Sequence, residues 1–453
     1  MKIKNICCIG AGYVGGPTMA VIAIKCPDIR VTVVDIDKEK IDLWNSKDIN
    51  DIPVYEPGLG EIVKKTRDKN LFFSNDIDGA IKNSEMIFLA VNTPTKVSGK
   101  GAGMASDLTF VEKSARKIAS IANSHKIVIE KSTLPVRTAE KIIDIFSKSK
   151  NKFSFDVLSN PEFLAEGTAI KDLYKSDRVL IGGQQTKSGQ NAIQSLVNIY
   201  KKWIPEDKIL TVNVWSAELS KLASNAMLAQ RISSINSFSA LCDATGAKID
   251  EVSNAIGRDK RIGDKFLKVS PGFGGSCFQK DILNLVYLCQ YYGLEEVADY
   301  WIQVLKINDY QRLRLTNIID SYILENKLKK TISILGWAFK ANTNDSRESS
   351  SIYISYNLIE RGYKLKIYDP KVSKDKILKD LFNLNIIRKK LNNDDLVSRI
   401  KIYSSVNEII EDSNIHVVLT EWEEFKVLND MSKNITVFDF RNYLKERKNI
   451  IKL

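Results

Sequence analysis

Ile3-Lys4-Asn5-Ile6-Cys7-Cys8-Ile9-Gly10-Ala11-Gly12-Tyr13-Val14-Gly15 opens the 453-residue chain with an apolar run that ends in three spaced glycines. The run reads as a strand, being rich in β-branched residues up to the first glycine. Apolar spacing then predicts a helix over 16–25 and a second strand over 31–34 that ends at Asp35, 20 residues past Gly15. Strand, glycine turn, helix and strand-end acid in this register describe a dinucleotide cradle, in which glycines admit a pyrophosphate and a helix N-terminus faces it. An acid at that place accepts hydrogen bonds from a ribose 2′-hydroxyl and repels a 2′-phosphate, which favours NAD over NADP.

The alternation continues outward, with a helix over 38–45, strands over 71–73 and 86–91, a helix over 108–122, a strand over 127–130, a helix from 136, and strands over 155–158 and 179–182. This pattern predicts a doubly wound parallel sheet whose ligand lies beyond the C-terminal strand ends. Three strand-end segments then matter: Val91-Asn92-Thr93-Pro94-Thr95, Glu130-Lys131-Ser132-Thr133 and Asn160-Pro161-Glu162-Phe163-Leu164-Ala165-Glu166-Gly167. Residues 215–245 and 294–335 hold neither glycine nor proline, so two long helices are expected. A third region follows: a strand over 331–335, Gly336-Trp337-Ala338-Phe339-Lys340, a helix opened by Arg347-Glu348-Ser349, a strand over 365–368 ending at Asp369, and strands over 417–420 and 436–439. It lacks the glycine fingerprint, so a nucleotide-containing substrate is its natural guest. The expected fold class is α/β: an N-terminal doubly wound Rossmann domain over 1–212, a central long-helix region over 213–328 and a C-terminal Rossmann-like α/β domain over 329–453.

Composition narrows the function classes. Hydrophobic residues at 44% and charged residues at 27% are ordinary for a globular protein. The net charge of +12 is interleaved with acids, which describes a solvated surface first, an anionic small ligand second, and nucleic acid last because no motif supports it. No apolar run spans a membrane, and a strand pattern stands where a secretory leader would, so a cytoplasmic location is expected. Six cysteines without Cys-x-x-Cys spacing and only two histidines argue against a disulfide framework and a zinc site.

The stretch Gly274-Gly275-Ser276-Cys277-Phe278-Gln279-Lys280-Asp281 holds the candidate nucleophile. Two glycines clear side chains from the approach to Cys277, and helical spacing from Phe278 puts the thiol at a helix N-terminus. That terminus and Lys280 both favour thiolate. Lys221 and Asn225 share one helix face and matter only if that face lines the Cys277 cleft.

In order and spacing, the motifs at 10–15, 91–95, 160–167, 221–225, 273–281, 336–340 and 347–351 resemble the UDP-glucose/GDP-mannose dehydrogenase family from residue 2 to about 441, and 6–17 and 159–172 are most similar to its animal-type members. The resemblance implies a four-electron oxidation of UDP-glucose to UDP-glucuronate by two NAD and water, through a thiohemiacetal and a thioester on Cys277, with no metal. It implies that Lys221, Asn225 and Asp281 handle protons and charge around the first oxidation, and that Glu162 and Thr133 direct the hydrolytic water. Cofactor contacts would come from Gly10, Ala11, Gly12, Tyr13, Val14, Gly15, Asp35, Lys40, Val91, Asn92, Thr93, Pro94, Thr95, Ser132, Thr133, Glu166, Cys277, Lys280 and Arg347. UDP-sugar contacts would come from Glu162, Phe163, Leu164, Ala165, Glu166, Lys221, Asn225, Lys268, Val269, Ser270, Pro271, Gly272, Phe273, Gly274, Phe339, Lys340 and Arg441, with Arg261 reaching in from a neighbouring subunit. A homo-oligomer is implied, dimeric through the central helix or hexameric, with no nucleic-acid or membrane partner. Lys40 departs from the arginine of animal-type members, and Phe440 from a small residue beside Arg441. Two alternatives stay open: oxidation of a UDP-N-acetylhexosamine or GDP-mannose, and a nucleotide-sugar-binding protein without turnover.

Overall fold

The computed structural model describes residues 2–431 and 435–453, and these divide into two compact units, residues 1–224 and 225–453.

In the first unit eight strands form one sheet: β1 (Asn5–Ile9), β2 (Arg30–Val34), β3 (Leu71–Ser74), β4 (Met86–Leu89), β5 (Lys126–Glu130), β6 (Phe155–Ser159), β7 (Val179–Gly183) and β8 (Ile209–Asn213), in the order β3-β2-β1-β4-β5-β6-β7-β8. Strand β1 is central because both its faces are apolar. Ile6 and Cys8 join one core with Met19, Ile22 and Val31, and Cys7 and Ile9 join the other with Ile87, Ala115 and Ile118. Each Ile, Val or Met among them contributes about 1.5–3 kcal/mol when withdrawn from water. The chain lays β2 and β3 on one side of β1 and then crosses to β4 on the other. The crevice at that switch lies at the strand ends occupied by the glycine turn.

The expectation of an all-parallel sheet is corrected at one pair. Strands β6 and β7 run antiparallel, with Leu158 opposite Gly183 and Ser159 opposite Gly182. A parallel crossover must carry the chain back along a whole strand. The 160–178 connection instead holds only the six-residue helix Ala169–Tyr174 and returns the chain to the sheet at the end it left. Strand β8, absent from the sequence reading, is an edge strand with three of its five residues exposed and none buried, so it lacks an apolar signature.

In the second unit β9 (Thr331–Leu335), β10 (Lys364–Tyr368), β11 (Ile400–Ile402), β12 (Ile415–Val418), β13 (Thr436–Asp439) and β14 (Ile450–Lys452) form a fully parallel sheet, ordered β11-β10-β9-β12-β13-β14. The two glycine-free stretches are the helices Val214–Thr245 and Glu295–Glu325, of 32 and 31 residues. Asp369 ends β10 as Asp35 ends β2. Its carboxylate accepts from the backbone N–H groups of Trp337, Ala338, Lys371 and Val372 and from Trp422 Nε1. Five donors saturate a carboxylate that offers about four lone-pair positions. Asp369 therefore has no capacity left for a ribose.

At the N-terminal ends of β5 and β6, His125 Nε2 lies 3.2 Å from Asp156 Oδ2, and His125 Nδ1 lies 2.8 Å from Ser154 Oγ. The hydrogen bond to Asp156 raises the imidazole above its ordinary value, against a smaller opposing effect of burial. Burial pushes the Asp156 carboxyl up, but hydrogen bonds from His125 and Ser188 bring it below its ordinary value. The His125 contribution is full below an unfolded value of about 6.5 and fades as pH rises through the folded one; that of Asp156 is lost as pH falls through its folded value. His125→Gln should lower the melting temperature by about 2 °C at pH 5.5 and by less at pH 8.5, measured by calorimetry at the two pH values.

Candidate active site

The glycine turn is dictated by close approach. Gly10 has φ +113°, and a Cβ there would lie 2.4 Å from the Ala90 carbonyl oxygen; a Cβ on Gly15 would lie 2.0 Å from that of Gly10. A Cβ on Gly12 would meet nothing within 4 Å, so this edge of the turn is open. The helix Gly15–Lys25 has no acid in its first turn, and its positive end faces the opening unopposed. Asp35 Oδ2 accepts from Ala11 N at 2.9 Å and Lys40 Nζ at 3.1 Å, and Oδ1 accepts from Asp37 N at 3.0 Å. Burial raises the Asp35 carboxyl, but these three donors outweigh it and hold the group below its ordinary value. Three donors leave one of about four acceptor positions for a ribose hydroxyl, so the residues present fit NAD. Ser132 Oγ donates to the Val91 carbonyl at 2.7 Å and Thr93 Oγ1 to that of Thr133 at 3.2 Å. The strand ends of β4 and β5 are thereby joined beside the cradle.

Beyond β6, Glu162 turns back on its own loop. Its Oε1 accepts from Phe163 N at 2.9 Å and Leu164 N at 3.1 Å, and its Oε2 lies 2.8 Å from Lys131 Nζ. Lys131 also donates to Asn160 Oδ1 at 3.0 Å and Tyr200 OH at 3.3 Å. Burial pushes the Glu162 carboxyl up, but the Lys131 ammonium overrides it and the group stays below its ordinary value. Burial likewise depresses Lys131, and Glu162 outweighs that to raise it. The pair is ionised on both sides. The Phe163 ring has the Arg178 guanidinium 3.9 Å and the Lys221 ammonium 5.2 Å from its centroid. Arg178 also donates to Ser224 Oγ at 3.2 Å, three residues past Lys221. At 7% and 5% exposure, Lys221 and Asn225 are buried and not a wet helix face.

In the second unit Cys277 is exposed and forms the N-cap of the helix Phe278–Tyr291, without a side-chain capping bond. Its sulfur lies 3.4 Å from Ser276 Oγ. The next turn holds the fully buried Asp281, which accepts from Lys280 Nζ at 2.8 Å and Asn225 Nδ2 at 2.6 Å. Lys280 is thus committed to Asp281 rather than reserved for the sulfur.

The loop before Cys277 is fixed through its backbone. Asn308 accepts from Phe273 N at 2.8 Å and donates to Phe273 O at 3.1 Å, while Arg312 Nη2 donates to Phe273 O at 3.0 Å and Glu348 O at 2.9 Å. Asn236 and Gln311 hold the two backbone groups of Ser270. Gly275, at φ +85°, donates to Arg347 O at 2.7 Å, and a Cβ there would lie 3.1 Å from the Phe339 ring. A Cβ on Gly274 would lie 2.6 Å from the Glu348 carbonyl oxygen. The glycine pair is therefore required by packing against 339–348, beyond the access to sulfur inferred from sequence.

Arg441 donates to Leu419 O at 2.7 Å and Phe339 O at 2.8 Å, and Phe440 packs in the core beside Phe438. Lys340 Nζ lies 5.5 Å from the Phe339 centroid, and Arg347 chelates Asp345. Val269, Ser270, Pro271, Gly272 and Phe273 are buried; Lys268 is exposed, and so is Arg261, which pairs with Asp259 at 2.7 Å. The first unit thus assembles the residues of 10–15, 35, 40, 91–95, 132–133, 162–166 and 221 along one sheet edge. The second gathers 225, 277, 280–281, 339, 347 and 441 around the 268–275 loop.

Models of the UDP-glucose/GDP-mannose dehydrogenase family match the chain in three consecutive parts: the NAD binding domain over residues 4–204, the central domain over 215–310 and the UDP binding domain over 333–446. The chain belongs to the UDP-glucose/GDP-mannose dehydrogenase family. It is an NAD-dependent dehydrogenase with a UDP-binding domain, as the motif order implied. The UDP-glucose 6-dehydrogenase of Mus musculus is 54% identical over 452 residues, 98% of this chain and 90% of that protein. UDP-glucose 6-dehydrogenase 1 of Glycine max is 52% identical over 455 residues, 98% and 94% of the two chains. Among solved structures, a UDP-glucose dehydrogenase from Pyrobaculum islandicum matches with a TM-score of 0.83 at 28% identity, covering 99% of this chain and 97% of that one.

Sequence reading placed Lys131 in a strand-end segment without giving it a role, and missed Arg178, Asn236, Asn308, Gln311 and Arg312 as supports of this dehydrogenase site. Lys131 follows Glu130 at a central strand end, and its ammonium there meets the Glu162 carboxylate. Lys131→Met would strand the Glu162 carboxylate in a buried place, and urea unfolding should show a loss of about 3–5 kcal/mol. Adding Glu162→Gln, which removes the unpaired charge, should restore part of that loss.

Proposed function

We propose that this dehydrogenase oxidises the C6 hydroxymethyl group of UDP-glucose to the carboxylate of UDP-glucuronate, consuming two NAD and one water per sugar. What carries this reading is one exposed thiol at a helix N-terminus, Cys277, in a chain 54% identical to a UDP-glucose 6-dehydrogenase. NAD held on the glycine turn supplies the hydride acceptor for both oxidations. Every other task falls to side chains.

The Cys277 sulfur adds to the aldehyde carbon left by the first oxidation, giving a thiohemiacetal, and loss of a second hydride leaves a thioester. Lys221 stabilises the alkoxide that develops at each stage; buried beside the Phe163 ring, its charge is poorly screened by water. Asp281 and Asn225 complete the handling of proton and charge around that oxygen. Glu162, kept anionic by Lys131, takes a proton from the water that attacks the thioester, with Thr133 orienting that water; the C–S bond breaks, UDP-glucuronate is released and the Cys277 sulfur is regenerated on the enzyme. The sugar nucleotide is bound by the 163–166 and 268–274 loops with Phe339, Lys340 and Arg441, and the cofactor by 10–15, Asp35, Lys40, 91–95, Ser132, Glu166, Lys280 and Arg347. This divides the chain into an NAD-binding part over 1–212, a central helical part over 213–328 and a UDP-sugar part over 329–453.

A cytoplasmic location suits a catalytic thiol and six free cysteines. Among the described residues, no helix is long and apolar enough to cross a membrane. Exposed Met227, Phe238 and Leu241 on the helix Val214–Thr245 support dimerisation through it, with Arg261 serving the neighbouring subunit's site. Light scattering of the purified chain should give at least a dimer's mass, and an active monomer would remove Arg261 from the site.

Kinetics test the central reading. The enzyme should form two NADH per UDP-glucose, and Cys277→Ser should abolish net acid formation. One NADH per sugar, or faster turnover of a UDP-N-acetylhexosamine or GDP-mannose, would overturn it.

A further inference from the structure

We propose that Glu56 is a positioning residue for the sugar-nucleotide loop 162–169, fixing its second half through the backbone. Glu56 lies between β2 and β3, over a hundred residues before that loop, and is 6% exposed. Its Oε1 accepts from Gly167 N at 2.7 Å and its Oε2 from Ala169 N at 3.2 Å. Both donors sit where the loop enters the helix Ala169–Tyr174, so one carboxylate sets where loop becomes helix.

The loop is anchored in two independent halves. Glu162 takes the amides of Phe163 and Leu164 and is itself held by Lys131. Asp172 Oδ2 takes Ala165 N and Thr168 Oγ1, both at 2.9 Å, and Glu56 takes the remaining pair. Gly167 has φ +82°, a conformation that an L side chain rarely adopts, so the chain at this bend relies on its anchor. Loss of the Glu56 anchor would shift Ala165–Ala169, which includes Ala165 and Glu166 of the proposed sugar-nucleotide contacts, and leave the water-directing Glu162 on Lys131. The effect falls on binding rather than on chemistry.

This rests on the reading of the protein as a UDP-glucose dehydrogenase. The test compares full-length wild type with Glu56→Gln, which turns one acceptor oxygen into an N–H₂ donor facing an amide N–H. Titration calorimetry with UDP-glucose and steady-state kinetics should show Kd and KM for UDP-glucose raised about tenfold. The kcat should stay within about twofold. Unchanged Kd and KM, or a fall in kcat alone, would overturn the role. Glu56→Asp, which keeps the charge but shortens the reach, should give an intermediate KM and decides the matter if the Gln variant does not fold. Amide hydrogen exchange at Gly167 and Ala169 should be faster in the variant than in wild type. It tests the clamp even if wild type ignores UDP-glucose, an outcome that sinks the functional reading instead; unchanged exchange overturns the clamp.

Discussion

A carboxylate taken out of water must find donors within hydrogen-bond reach, and this requirement fixes the geometry of both units. Glu162 is matched by Lys131 and two amides, Asp281 by Lys280 and Asn225, and Asp369 by five donors. None of these acids can move without stranding a charge, so the segments that carry them are held more firmly than apolar contact alone would hold them. Glu130 meets the same requirement differently. Burial pushes its carboxyl well up and also raises that of Glu218, whose oxygens take Arg137 N and Ala139 N. Burial disfavours the charged form of both acids, most strongly that of Glu130.

The first sheet was legible because its central strands are buried on both faces and read as unbroken apolar runs, with glycines and acids at their ends. Cys277 at a helix start was legible from the helical spacing after it. The antiparallel turn from β6 to β7 was not, because strand direction depends on connection geometry rather than on strand composition. Three of the four edge strands, β8, β11 and β14, escaped for another reason: none is mostly buried, and none carries a periodicity of its own.

The supports of the site were the least visible in sequence. Asn308, Gln311 and Arg312 sit in a long helix where polar residues read as solvent-facing, yet all three are buried and hold the backbone of 270–273. Their spacing is helical and their burial is tertiary, so sequence carries only half the information. The glycines at 274 and 275 show the converse. Their presence was plain, but the close neighbours that require them, Phe339 and Glu348, stand more than sixty residues away.

The reversal between β6 and β7 has a consequence for adaptability. Because the chain doubles back, 160–178 leaves and rejoins the sheet at the same rim, and its path is set by main-chain anchors instead of by the identity of its exposed residues. At its exposed position Ala165 the side chain can be varied without disturbing that path, whereas Phe163 is fixed against Arg178 and Lys221 and Leu164 against the core.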